Sequence, residues 1–84
     1  MTVRVRFFAA AREQVGASTL ALELGAVRTV AELIARLAAE RGAGLGAVLT
    51  APGMRFAVNQ ELVEASAPIA DGDEVAFMPP VTGG

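Results

Sequence analysis

A chain of 84 residues with a formal charge of −2, no Cys, no His and seven basic residues that are all arginine has room for one domain and one core. Its scattered arginines argue against binding a nucleic-acid backbone, and no apolar run approaches the ~20 residues of a membrane span. Without Cys there is no disulfide, zinc knuckle or persulfide, without His the commonest general base and metal ligand is missing, and without Lys there is no Schiff base.

Residues Thr2 to Phe8 alternate, with Val3, Val5 and Phe7 on one side and Arg4 and Arg6 on the other, which predicts a half-buried first strand. The opening MTVRVRFF lacks the order of regions of a secretory signal, so a soluble, cytoplasmic protein is expected. Ala9 to Val15 is Ala-rich and carries Arg12-Glu13 before Gly16, and reads as a short helical turn or a loop. Ser18 to Leu24 alternates again, with Leu20, Leu22 and Leu24 on one face, and predicts the second strand of a hairpin.

Thr29-Val30-Ala31-Glu32 matches a capping box, with the Thr29 hydroxyl accepting from the Glu32 amide and Glu32 reaching back to the Thr29 amide. The helix it opens has one apolar stripe, Val30, Leu33, Ile34, Leu37 and Ala38, while Glu32, Arg36 and Glu40 stand four apart on the outer face. Gly42 ends it as a C′ residue. Gly42 to Gly46 is glycine-rich, but it follows a helix where a phosphate loop would precede one, and its spacing is not GxGxxG, so a plain connector is expected.

Met54, Phe56 and Val58 alternate with Arg55 and Ala57, and Asn59-Gln60 turns the chain into Leu62-Val63, which predicts a short hairpin. Pro68 marks a loop. Asp71, Asp73 and Glu74 lack EF-hand spacing, so they are expected to form a solvated turn and no metal site. The strand Val75 to Met78 runs until Pro79-Pro80, which have no N–H to give a ladder. The order strand, strand, helix, strand, strand, strand predicts an α+β fold, a mixed five-stranded sheet with one main helix across one face. That is a β-grasp arrangement, with a domain over residues 1–78 and a flexible tail over 79–84.

The tail carries the candidate chemistry. Two final glycines, Gly83-Gly84, arise by chance in about 1% of chains this rich in glycine. The stretch from Pro79 to Gly84 spans at most about 20 Å when extended, enough to reach a neighbour's pocket, and the prolines stiffen its base. Glycine has no Cβ, so the end can thread a narrow channel with its carbonyl open to attack. An α-carboxylate is ionised at neutral pH and must be activated before it reacts as an electrophile, most simply as an acyl-adenylate formed from ATP. The chain has no nucleotide-binding motif, so activation falls to a partner. With no thiol present, sulfur can be held covalently only by replacing an oxygen of the Gly84 carboxylate, giving a thiocarboxylate.

Three segments in this order, FFAAARE (Phe7 to Glu13), AVNQELV (Ala57 to Val63) and DGDEVAFMPPVTGG (Asp71 to Gly84), resemble the small, sulfur-carrier subunit of molybdopterin synthase. The resemblance spans nearly the whole chain, and the last segment is its most specific part. It implies a ubiquitin-like β-grasp fold that holds no cofactor stably. It further implies adenylation of the terminal glycine by an ATP-dependent activating enzyme, sulfur supplied by a sulfurtransferase or desulfurase, and a thiocarboxylate that enters the large catalytic subunit. There sulfur passes to cyclic pyranopterin monophosphate to build the molybdopterin dithiolene, in a heterotetramer of two small and two large subunits, and the catalytic side chains are those of the large subunit.

By the same resemblance Gly84 bears the sulfur, Gly83 is its unhindered neighbour, and Pro79, Pro80, Val81 and Thr82 complete the tail that the partner receives. Phe8, Leu62 and Met78 fall where the family places apolar partner contacts. The strand pattern agrees in part, since Phe7 and Phe77 facing the helix would turn Phe8 and Met78 outward, unless one tucks under a loop. Met78 departs from the aromatic residue often found beside the prolines. Arg12 and Glu13 match the family, yet read as an ordinary surface or loop-anchoring pair. Other readings of the same tail are a ubiquitin-like modifier conjugated through Gly84, a sulfur carrier for thiamine or cysteine biosynthesis, and an interaction module with an inert end.

Overall fold

The computed structural model describes residues 1–80. In chain order they form β1 (Thr2–Phe7), α1 (Ala9–Val15), β2 (Thr19–Glu23), α2 (Val30–Arg41), α3 (Ala43–Leu49), β3 (Arg55–Val58), β4 (Glu61–Val63) and β5 (Glu74–Met78). The strands make one mixed sheet in the order β2-β1-β5-β3-β4. β1 and β5 run parallel at its centre, and every other pairing is antiparallel. The first and last strands of the chain are therefore neighbours, and β5 delivers the tail from the middle of the sheet.

Alternation decides which face is buried. Val3, Val5 and Phe7 of β1 and Val75 and Phe77 of β5 are sealed in the core, whereas Arg4 and Arg6 are exposed. Register puts Phe7 opposite Phe77 and Phe77 opposite Phe56. The first pair stacks with centroids 6.0 Å apart, and Phe56 meets Phe77 edge-on at 5.8 Å and 84°. Such aromatic contacts add about 0.5–1.5 kcal/mol each beyond the area they bury. Over them α2 lays the expected stripe, with Val30, Leu33, Ile34 and Leu37 all buried.

The start of α2 differs in one detail from the capping box read in the sequence. The Thr29 hydroxyl accepts from the Glu32 amide at 3.2 Å, but the Glu32 carboxylate accepts from the amide of Arg28, at 2.7 Å, one residue before the expected one. Of the outer-face charges, Arg36 pairs with Glu40 at 3.1 Å and donates to the Leu24 carbonyl at 2.9 Å, which ties the helix to the end of β2.

The glycine-rich connector is a helix. Gly42 closes α2 as expected, with φ 107 and ψ 163, a conformation open to glycine, and the chain turns straight into α3. Leu45 and Leu49, four apart, are both buried. Burying each contributes about 1.5–3 kcal/mol, which outweighs the roughly 1 kcal/mol that a helical glycine costs. Gly46 also brings α3 close to α2, since a Cβ placed there would lie 2.8 Å from the Ala38 Cβ. The segment after β1, read as a helical turn or a loop, is the two-turn helix α1, which buries Ala11.

Asn59 and Gln60 both take positive φ, 51 and 71, the type I′ pattern that joins β3 to β4. The Asn59 side chain accepts from the Glu74 amide and donates to Asp73, each at 3.0 Å, pinning this hairpin to the start of β5. Asp73 also accepts from the Ala70 amide at 2.8 Å, and Asp71 accepts from the Thr2 amide at 2.7 Å. The turn is exposed, as read, and its hydrogen bonds also make it a clamp at the foot of the central strands.

Candidate functional site

Two features meet on the side of the sheet away from the helices: the outer faces of β1, β5, β3 and β4, and the root of the tail where β5 ends. Arg6 pairs with Ala76, Ala76 with Ala57, and Ala57 with Leu62, so one row crosses four strands. Met78 sits opposite Arg55 in the next row, and Phe8 follows Phe7, the partner of Phe77, in extended geometry with φ −127 and ψ 153. Phe8, Met78 and Leu62 are thereby brought to one face, as the alternation requires.

Their exposure differs. Leu62 is 58% exposed, one of the large apolar side chains most open to solvent among the described residues. Phe8 and Met78 are half-buried. The Arg6 guanidinium stands 5.2 Å from the centroid of the Phe8 ring, within cation–π range. Between these residues Ala57 and Ala76 are buried at 5% and 9% and yet stand outside the core cluster, because taller neighbours on the outer face cover them. The face is an apolar saddle with small residues at its floor.

Arginines rim the saddle. Arg4 and Arg6 reach Glu74 at 3.6 and 3.8 Å, with Glu74 largely covered between them. Arg55 forms no ion pair among the described residues. Exposed pairs of this kind contribute about 0–1 kcal/mol to folding, so they leave the arginines available to a partner's carboxylates. Arg12 and Glu13 are exposed on α1 and take no part in this face.

Pro79 and Pro80 are exposed directly beyond β5. Val81, Thr82, Gly83 and Gly84 lie outside the described residues. The sequence reading set Ala57 with Arg55 on the face away from Met54, Phe56 and Val58, but it named neither Ala57 nor Ala76 as part of the site. Their signal was present, since each lies between two inward-facing residues of a strand.

The family model described as the ThiS family matches residues 5–84, from the middle of β1 through the final glycines. The chain belongs to the ThiS family. Within it, the molybdopterin synthase sulfur carrier subunit of Escherichia coli (strain K12) is 43% identical over 82 residues, covering 98% of this chain and 99% of the relative. Among solved structures, a chain of the complex of subunits 1 and 2 of the molybdopterin-converting factor from Helicobacter pylori 26695 superposes with a TM-score of 0.66 at 28% identity, covering all of both chains. SAMP1 from Haloferax volcanii gives a TM-score of 0.80 at 24% identity, again covering both chains entirely, a likeness of fold. This ThiS-family chain has the ubiquitin-like β-grasp fold that the element order predicted. No helix among the described residues is long and apolar enough to cross a membrane.

Proposed function

We propose that this chain is the sulfur-carrier subunit of a molybdopterin synthase and that its Gly84 carboxylate carries the sulfur. The observation that carries this reading is the 43% identity, over 98% of the chain, with a molybdopterin synthase sulfur carrier subunit. A carboxylate oxygen of Gly84 attacks the α-phosphorus of ATP on a partner adenylating enzyme, and pyrophosphate leaves. The persulfide of a sulfurtransferase or desulfurase then attacks the acyl carbon and AMP departs, and a second thiol of that partner cleaves the S–S bond of the acyl disulfide, leaving a thiocarboxylate on Gly84 and a disulfide on the partner. The loaded tail enters the large subunit, its sulfur attacks a side-chain carbon of cyclic pyranopterin monophosphate as an oxygen substituent leaves that carbon, and water cleaves the resulting thioester, which leaves the sulfur on the pterin and restores the carboxylate.

The chain's own part is to carry and to dock. Its lack of Cys, His and Lys leaves no side-chain thiol, imidazole or amine for this chemistry. Phe8, Leu62 and Met78 supply the apolar contact on the outer sheet face, with Arg4, Arg6 and Arg55 around it. Pro79 and Pro80 keep the base of the tail stiff, and Val81, Thr82 and Gly83 lead to the reacting end. The work is cytoplasmic, where ATP and the activating enzyme meet the chain.

The test is co-purification with the tail intact and with Gly84 removed. A large molybdopterin synthase subunit recovered with the intact chain supports the proposal. Recovery of a thiazole synthase, or of isopeptide conjugates on other proteins' lysines, assigns the chain to thiamine synthesis or to protein modification instead.

A further inference from the structure

We propose that Gly53 is a positioning residue, a seat against which Pro80 sets the direction in which the tail leaves the domain. The antiparallel register of β3 and β5 pairs Phe56 with Phe77 and Arg55 with Met78. Carried two residues further, it brings Gly53 opposite Pro80. Pro80 has no N–H with which to extend the ladder, so what joins the two strands here is packing.

The packing is close. A Cβ on Gly53 would lie 2.8 Å from the Pro80 Cβ, 3.2 Å from its Cγ and 3.8 Å from its Cα. A flexible side chain could swing away from such an encounter. A pyrrolidine ring cannot, because it is fused to the main chain and fixes φ. Any side chain at Gly53 therefore forces the turn and the backbone of the tail root apart. Gly53 is itself held at φ +86, as the third residue of a turn in which the Met54 amide donates to the Ala51 carbonyl at 3.2 Å.

The geometry gives this contact its leverage. The four residues after Pro80 reach at most about 14 Å, so the root sets the centre of the volume that their end can search. A root turned away from a partner's channel leaves less of that volume inside it, and a reacting carboxylate tolerates little error, since misplacement by about 1 Å can cost a hundredfold in rate. The seat thus deepens the function proposed above, on which its consequence for delivery rests: the domain aims the tail, and both enzymes that receive it benefit from the aim.

Gly53→Ala tests the seat, with Gly72→Ala as its control. Gly72 has the same φ, +86, but a Cβ there meets nothing within 4 Å, so the control carries the backbone strain without touching the tail. The readouts are the nuclear Overhauser effects between Gly53 Hα and the Pro80 ring, the melting temperature, and kcat/KM for adenylation of the chain by its activating enzyme. At a temperature where both variants are folded, we expect each to lose stability, Gly53→Ala through the clash as well as the backbone strain, while Gly53→Ala alone abolishes the turn-to-Pro80 contacts and lowers kcat/KM by about tenfold. Equal kcat/KM for Gly53→Ala and Gly72→Ala, or a wild-type spectrum without contacts between Gly53 and Pro80, overturns the proposal. A wild-type chain that is folded, shows those contacts and is never adenylated overturns the sulfur-carrier reading and leaves the seat itself standing.

Discussion

Truncating Leu62 to Ala should separate docking from folding. Leu62 is 58% exposed in the free chain, and fully burying a leucine contributes about 1.5–3 kcal/mol, so covering the exposed share against a partner contributes about 1–2 kcal/mol. Loss of that contact weakens binding roughly five- to thirtyfold. Folding should barely register the change, because a surface substitution away from the core costs within about 0.5 kcal/mol. Leu37→Ala is the opposite case: its side chain is fully buried, and its loss costs about 2–5 kcal/mol of stability. Calorimetric titration against the large synthase subunit, paired with urea denaturation, reads both quantities. Unchanged affinity for Leu62→Ala would refute the placement of the docking face, and so would a loss of folding stability as large as the loss of binding.

Three further outcomes follow from local geometry. Thr29→Ala removes the hydroxyl that caps α2 and should cost about 1 kcal/mol in chemical denaturation. Gly46→Ala gains about 1 kcal/mol of helix propensity but drives a methyl to within 2.8 Å of the Ala38 Cβ, and such overpacking costs about 1–3 kcal/mol, so the melting temperature should fall. Gly44→Ala meets only the movable end of Gln14 and should leave the melting temperature unchanged or raise it.

The sheet was legible because each strand carries its own alternation, and the long helix α2 because Val30, Leu33, Ile34 and Leu37 recur at helical spacing. α3 was misread because Gly42, Gly44 and Gly46 lower local helix propensity, while Leu45 and Leu49 draw their stability from packing that a local reading cannot weigh. The Glu32 contact failed for a related reason: the spacing identifies a capping residue but not which of two adjacent amides lies nearer. The outer face was legible only in part. Phe8 and Met78 emerge from alternation along one strand each, but the saddle over Ala57 and Ala76 needs the register of strands far apart in sequence. The same holds for Gly53 and Pro80, which nothing local connects. In the sequence, Gly83-Gly84 was the plainest functional feature, because the absence of Cys, His and Lys leaves few other groups able to carry sulfur.

The central claim is tested most directly by the intact mass of the chain after incubation with ATP, its activating enzyme and a sulfur donor. The account predicts a species in which one oxygen is replaced by sulfur, located at Gly84 by fragmentation and missing from a chain that lacks that residue. A folded chain that retains its original mass under these conditions, or that takes up sulfur at any other position, would contradict it.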